Sequence, residues 1–368
     1  PIQAEHWFRQ TLALAEISQN AYLAFSAHEN LSDMLYQQAR LPEAHLHALR
    51  AIKHATVEDL EAPFTGWIRC VLGLIAFAWN ELDIAQTEAE RCVELCKQWN
   101  NAVIHVRGLL LLAQIYQIRG NYAQAVHHLE EADTLSRQTG ETRYLQAVLR
   151  QRVLLALARR NLDAARHWWA ALKALPTGEN APPNYPQTLI AAHLQLAEGQ
   201  PRHALEIVNT AAETFKNSPL RLFTLERHIL TALASRAFGK PDDAANALEN
   251  ALHLAEPAKI QHPFLQAGAP MRELLRRLAA HSDHAPFIGT LLTAFGEHAT
   301  DASGDHNLTH RETQILRLLV DGYSNRDMAE ELDIAESTLK RHIANLYLKM
   351  GVHSRTQALA RAQEFHLL

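Results

Sequence analysis

Gly120-Asn121-Tyr122-Ala123-Gln124-Ala125 reads as the turn between two helices, and this stretch decides the fold. A glycine followed by asparagine punctuates regular structure. Before it, 109–119 is a run rich in leucine; after it, 123–136 carries apolar residues at the three-and-four spacing of a helix with one buried face. Five further copies of the pattern flank it. They are Ala39-Arg40-Leu41-Pro42-Glu43-Ala44, Asn80-Glu81-Leu82-Asp83-Ile84-Ala85, Arg160-Asn161-Leu162-Asp163-Ala164-Ala165, Gly199-Gln200-Pro201-Arg202-His203-Ala204 and Gly239-Lys240-Pro241-Asp242-Asp243-Ala244. The closing alanines stand at 44, 85, 125, 165, 204 and 244, with gaps of 41, 40, 40, 39 and 40 residues. A period held that evenly marks stacked helix pairs, not one irregular bundle.

The chemistry of each copy explains its place. Glycine or asparagine supplies the left-handed residue that ends the first helix of a pair. Proline at 42, 201 and 241 falls where a second helix starts, where its missing N–H costs nothing. The closing alanine is small enough to let two helices cross closely. The unit resembles tetratricopeptide repeats, whose usual period is about 34 residues, and its longer period resembles the variant solenoid of MalT-like regulators. The fold class expected is therefore all-α, with a tetratricopeptide-like solenoid over 1–255. Counting back forty residues from Ala44 reaches Ala4, so 7–17 reads as the second helix of a pair whose first is missing, and a segment preceding Pro1 is expected.

Prolines 257, 263, 270 and 286 break up residues 256–298, leaving two short helices expected near 271–281 and 286–298 as the end of the solenoid. Residues 299–307, with Asp, Ser and Gly, read as a polar linker. A second domain is expected over 308–368. Thr309-His310-Arg311-Glu312 forms a capping-box pattern. Its first helix buries Ile315, Leu316 and Leu319; Ser324 caps a short second helix with Met328 and Ala329 inward. A turn, Asp333-Ile334-Ala335, leads to a third helix over 336–350, with Leu339, Ile343, Leu346 and Met350 as its buried stripe, and Ser354 caps a fourth. Short helix, tight turn and longer helix is the geometry that presents a recognition helix to the major groove of DNA.

Leu308-Thr309, Arg311-Glu312, Gly322-Tyr323-Ser324-Asn325, Ser337-Thr338-Leu339-Lys340, Lys349-Met350-Gly351-Val352 and Ser354-Arg355-Thr356-Gln357-Ala358 together resemble the four-helix LuxR-type helix-turn-helix. With the solenoid, the chain resembles the C-terminal part of a large ATP-binding LuxR regulator of the MalT-like kind. One residue departs from the family pattern: Ala335 stands where serine or threonine usually caps the recognition helix, at a cost of about 1 kcal/mol.

The resemblance implies double-stranded DNA as partner and a set of contact residues. Ser337, Lys340, Arg341 and Ala344 lie on the face opposite the buried stripe, where the family approaches base edges. An arginine fork matches guanine N7 and O6, and an alanine methyl suits the thymine methyl. Ser324, Asn325, Thr338, His342, Lys349, Arg355 and Thr356 fit phosphate contacts. A solvated face or a cap is the competing reading, strongest for Ser337 and His342. Residues 308–368 hold eight Lys or Arg and eight Asp or Glu, so one isolated copy should bind weakly and lose affinity with salt. Dimerisation or higher assembly would double the contacts; Leu359 and Ala362 fit either that interface or the domain's own core. The family also implies contact with RNA polymerase and transcriptional activation.

Composition is that of a globular protein, with 48% hydrophobic and 20% charged residues and a formal charge of −5, so any DNA contact must come from a local patch. No apolar run approaches a bilayer's thickness, and three cysteines fit a reducing cytoplasm. Cys92 and Cys96, the pair His127-His128 and Trp168-Trp169 read as packing and surface residues without metal-ligand spacing. Gly239-Lys240 lacks the rest of a phosphate-binding loop. No catalytic set, cofactor or metal site is expected in these residues; the MalT-like resemblance places ATP binding in an N-terminal part. Arg69, Arg107, Arg150 and Arg227 each fall early in a first helix and suggest a pocket for an anionic effector, against the plainer reading of four solvated arginines. Two functions compete: a regulator whose solenoid senses a small molecule or protein and controls the DNA-binding end, and an interaction scaffold tethered to DNA by that end.

Overall fold

The computed structural model describes residues 2–57, 60–61, 63–175, 184–216 and 218–298. Toward the C-terminus it describes 314–316, 318–319, 323–332, 339–340, 342–343, 346, 355 and 357. The chain divides into two compact units, Pro1–Leu292 and Thr293–Leu368, the division falling inside a helix, Ala285–His298.

In the first unit, α1 (Ile2–Ile17) is followed by six helix pairs: α2 (Ala21–Gln37) with α3 (Leu41–Ala55), α4 (Gly66–Ala78) with α5 (Leu82–Trp99), α6 (Ala102–Ile118) with α7 (Tyr122–Thr139), α8 (Thr142–Ala158) with α9 (Leu162–Lys173), α10 (Tyr185–Ala197) with α11 (Pro201–Thr214), and α12 (Arg221–Ala237) with α13 (Pro241–Ala255). A two-residue antiparallel pairing, Thr56–Val57 with Leu60–Glu61, precedes α4. The first helices α2, α4, α6, α8, α10 and α12 pack successively against one another, and each second helix also touches the first helix of the next pair. The first helices therefore form the inner layer of the curve.

The junctions repeat as faithfully as the sequence. Residues 39, 80, 120, 160, 199 and 239 all take positive φ, between 54° and 83°. At each, the residue that follows returns an N–H to a carbonyl five residues back, as Asn121 does to Tyr116 (2.9 Å) and Asn161 to Ala156 (2.9 Å). That bond satisfies one of the orphaned carbonyls at a helix end. Glycine or asparagine fills four of the six positions as expected, but Ala39 and Arg160 fill the other two. The backbone bonds of the junction hold these side-chain-bearing residues in a conformation they disfavour. The six closing alanines are wholly buried, and at the α4–α5 crossing a Cβ added to Gly73 would lie 3.3 Å from the Ala85 carbonyl oxygen.

Beyond α13 the chain forms α14 (His262–Gln266), α15 (Gly268–Leu278) and α16 (Ala285–His298). The sequence predicts two helices here, not three. Pro263 lies in the first turn of α14, where proline is tolerated, so it opens a helix instead of breaking one. Residues around α14 also reach back across the solenoid. Trp79 Nε1 donates to the Ala258 carbonyl (2.9 Å), Gln261 N donates to the Ala78 carbonyl (2.8 Å), and the His262 ring lies 4.0 Å from that of Phe77. Since α14 touches both α4 and α12, it bridges the opening of the curve.

In the second unit, Ile315, Leu316, Leu319, Met328, Ala329, Leu339, Ile343 and Leu346 form one buried cluster, with Leu318 and Leu332 packed against it. These are the core positions that the spacing predicts; Met350 lies outside the described residues. The helix α17 (Asn325–Glu331) begins at Ser324 with a complete capping box.

Candidate nucleic-acid interface and solenoid cavity

The second unit is built on Leu339, Ile343 and Leu346, which turn inward at three-and-four spacing. That spacing leaves Lys340 exposed on the outer side of the same helix, as the base-reading assignment requires, while His342 is half-buried. At the start of α17, Ser324 Oγ accepts from Asp327 N (3.3 Å) and donates to Asp327 Oδ2 (2.7 Å), and Ser324 N also reaches that carboxylate (3.3 Å). Ser324 is thus first of all a cap. Asn325 follows it, half-buried, and Tyr323 and Arg326 are exposed beside it. Neither of those two was among the expected contacts. Arg355 Nη2 donates to the Leu319 carbonyl (2.9 Å), a tie within the unit that occupies part of a guanidinium expected at a phosphate. Ser337, Thr338, Arg341, Ala344, Lys349 and Thr356 lie outside the described residues, as do the expected Thr309–Glu312 capping box, Ala335, Leu359 and Ala362.

The four arginines of the expected effector pocket take different partners. Arg69 Nη1 pairs with Glu88 (3.0 Å). Arg107 lies over the Trp67 ring at 4.1 Å, with Asp33 Oδ1 3.6 Å away. Arg227 Nη2 is 3.0 Å from His228 Nε2; burial, and then this guanidinium, pushes His228 down to about 4. Arg150 lines a cavity of about 220 Å³, together with Arg143, Gln146, Ala147, Leu172, Asn184, Pro186 and Gln187. Asn184 caps α10 by accepting from Gln187 N (3.2 Å) and donates to Gln146 Oε1 (3.2 Å). The sequence reading passed over this wall. Asn184-Tyr185-Pro186 is a helix-start pattern, which could have flagged the positive end of a helix beside Arg150.

The remaining signals have structural explanations. Cys70, Cys92 and Cys96 are free thiols buried together with Ile104, and the Cys92 and Cys96 sulfurs are 4.0 Å apart. Trp168 and Trp169 pack on the Val153–Ile190 cluster. His128 stacks on Tyr116. Among the described residues no three His, Cys, Asp or Glu side chains are grouped to hold a metal, and no helix is long and apolar enough to cross a membrane.

Comparison with known proteins agrees with both units. The family described as "MalT-like TPR region" matches residues 2–281, and "Bacterial regulatory proteins, luxR family" matches residues 306–362. The HTH-type transcriptional regulator MalT of Vibrio cholerae serotype O1 is 25% identical over 390 residues, covering 97% of this chain and 42% of its own length. That of Klebsiella pneumoniae subsp. pneumoniae is 26% identical over 377 residues, covering 90% and 40%. The chain thus spans about two-fifths of the length of these relatives. A solved structure, "Crystal Structure of Rap Protein Complexed with Competence and Sporulation Factor", superposes with a TM-score of 0.57 over 81% of this chain and 86% of that one, at 15% identity. That likeness shows a shared solenoid fold.

Proposed function

Since the chain belongs to the MalT-like TPR region family and ends in a luxR-family regulatory domain, we propose that it binds double-stranded DNA and regulates transcription, its solenoid receiving a signal that controls the C-terminal unit. One observation carries this reading: the luxR-family match falls on a unit whose buried stripe, Leu339, Ile343 and Leu346, turns Lys340 to solvent. That is how a recognition helix faces a major groove. The reading assigns base contacts to Ser337, Lys340, Arg341 and Ala344, and phosphate contacts to Ser324, Asn325, Thr338, His342, Lys349, Arg355 and Thr356. With no net basic charge on the unit, it includes dimerisation on DNA, and it includes contact with RNA polymerase. It is not an enzymatic function.

The test is a binding titration of the chain on a selected duplex and on a scrambled one, at two salt concentrations. Arg341→Ala should cost about 1–3 kcal/mol on the selected duplex and little on the scrambled one. Lys349→Ala should weaken both about equally and flatten the salt dependence. Equal losses on both duplexes for Arg341→Ala would make it a phosphate contact and overturn the assignment of the reading face. The solved Rap solenoid is described in complex with a competence and sporulation factor, which supports a solenoid that receives a partner. If no added ligand or protein alters DNA affinity, the scaffold reading replaces the sensor.

A further inference from the structure

We infer that the cavity between α8 and the start of α10 is a binding site for a small organic carboxylate, held by the Arg150 guanidinium and the side-chain amides of Gln146 and Gln187. This rests on the reading of the solenoid as a sensor and specifies where it senses and what class of ligand it takes.

Arg150 is set into the inner layer of the solenoid, and its guanidinium lies 5.8 Å from the Phe223 ring centroid. Among the described residues it has no hydrogen-bond or ion-pair partner. Glu226 is the acidic group whose field reaches it, but the Glu226 carboxylate is engaged at 3.0 Å by His193 Nε2. Burial accordingly holds Arg150 below the usual guanidinium range. Arg150 is half-buried, and a cation partly withdrawn from water is normally paired with a counterion. Arg69 and Arg107 show the ordinary solution, since each has a carboxylate in contact.

The walls repeat the same sign. None of the described residues lining the cavity is acidic, and a second cation, Arg143, stands at its edge, where it pairs with Glu141 (3.0 Å). The positive end of α10 opens there, capped by Asn184. Asn184 is engaged as the cap, but the amide nitrogens of Gln146 and Gln187 hold no hydrogen bond among the described residues. A planar guanidinium fork flanked by amide donors matches a carboxylate, which accepts two parallel N–H bonds. Ala147, Leu172 and Pro186 provide the apolar part of the lining. The volume of about 220 Å³ is below the about 300 Å³ at which pockets for drug-sized ligands begin, so the ligand is small.

Two measurements on the full chain test this. Without ligand, Arg150→Met should raise Tm by about 2–4 °C, because it removes an uncompensated cation and keeps the side chain's length. A fall in Tm of that size would make Arg150 a structural residue and overturn the site. With ligand, malate and gluconate should raise the Tm of the wild-type chain, while malamide, which lacks the charge, should not. Arg150→Gln should weaken carboxylate binding by about ten- to a hundredfold, with Arg150→Lys between the two. Response to inorganic phosphate but to neither carboxylate, or unchanged binding by Arg150→Gln, would overturn the assignment. Repeating the DNA titration with bound malate separates the two levels. Binding without a change in DNA affinity sinks the sensor reading and leaves the site, whereas no binding by the wild-type chain sinks the site and leaves sensing to another surface.

Discussion

Single residues set the rhythm of the solenoid through backbone conformation. Gly120, Gly199, Gly239 and Asn80 suit the positive φ that every first helix needs at its end, but Arg160 holds the same place at φ 54° with an exposed side chain. An L residue there costs about 1–2 kcal/mol, against about 0.5–1 kcal/mol for the extra freedom that glycine loses on folding. Arg160→Gly should therefore stabilise the chain by about 0.5–1 kcal/mol, read as a higher Tm in thermal unfolding. A lower Tm would mean that the Arg160 side chain does more for the fold than its exposure suggests. The closing alanines show the complementary constraint: wholly buried where helices cross, they leave no room for a larger side chain.

Among the elements, α2 carries two buried titrations of opposite sense. Glu29 is pushed up to about 7 by burial and then by Asp33 one turn on, itself 3.6 Å from Arg107. His28 is pushed down to about 4 by burial and then by His47, whose Nδ1 is 2.8 Å from its own. Glu29 has a raised folded value, so the stability it contributes is complete below 4.5 and is lost as pH rises through about 7. His28 has a lowered one, so its contribution is complete above 6.5 and is lost as pH falls through about 4. Glu29→Gln removes only the first. The stability advantage of this variant over wild type, read from denaturant unfolding, should grow between pH 4.5 and about 7, reaching about 1–3 kcal/mol above that window. A difference independent of pH would show that Glu29 titrates alike in the folded and unfolded chain.

The first unit as a whole departs from the rule that a repeat contacts only its neighbours. The segment around α14 joins the second pair to the end of the sixth through the Trp79–Ala258 and Ala78–Gln261 hydrogen bonds. Stability in such a ring no longer adds up pair by pair, because fraying at one end must break a contact in the middle. Trp79→Phe keeps an aromatic ring and removes the indole N–H donor, at a cost of about 1 kcal/mol. Amide exchange at Gln261, whose N–H bonds to Ala78, should accelerate by about fivefold relative to amides in α8. An unchanged ratio would mean that the closure opens only with global unfolding.

The forty-residue period by itself determined the number of helix pairs, their junctions and their buried alanines, because each of these is a local requirement that the pattern writes into every copy. The C-terminal core was equally legible, since Ile315, Leu316, Leu319, Met328, Ala329, Leu339, Ile343 and Leu346 follow helical spacing from one helix to the next. Four arginines at matching places in their repeats looked alike in sequence. Only the tertiary packing of the helices gave Glu88 of α5 to Arg69 and Asp33 of α2 to Arg107, and left Arg150 facing an amide-lined cavity. The closure by α14 was hidden for the same reason. Contacts between residues about 180 apart depend on the curvature accumulated over many small repeat-to-repeat rotations, and no local pattern records that sum.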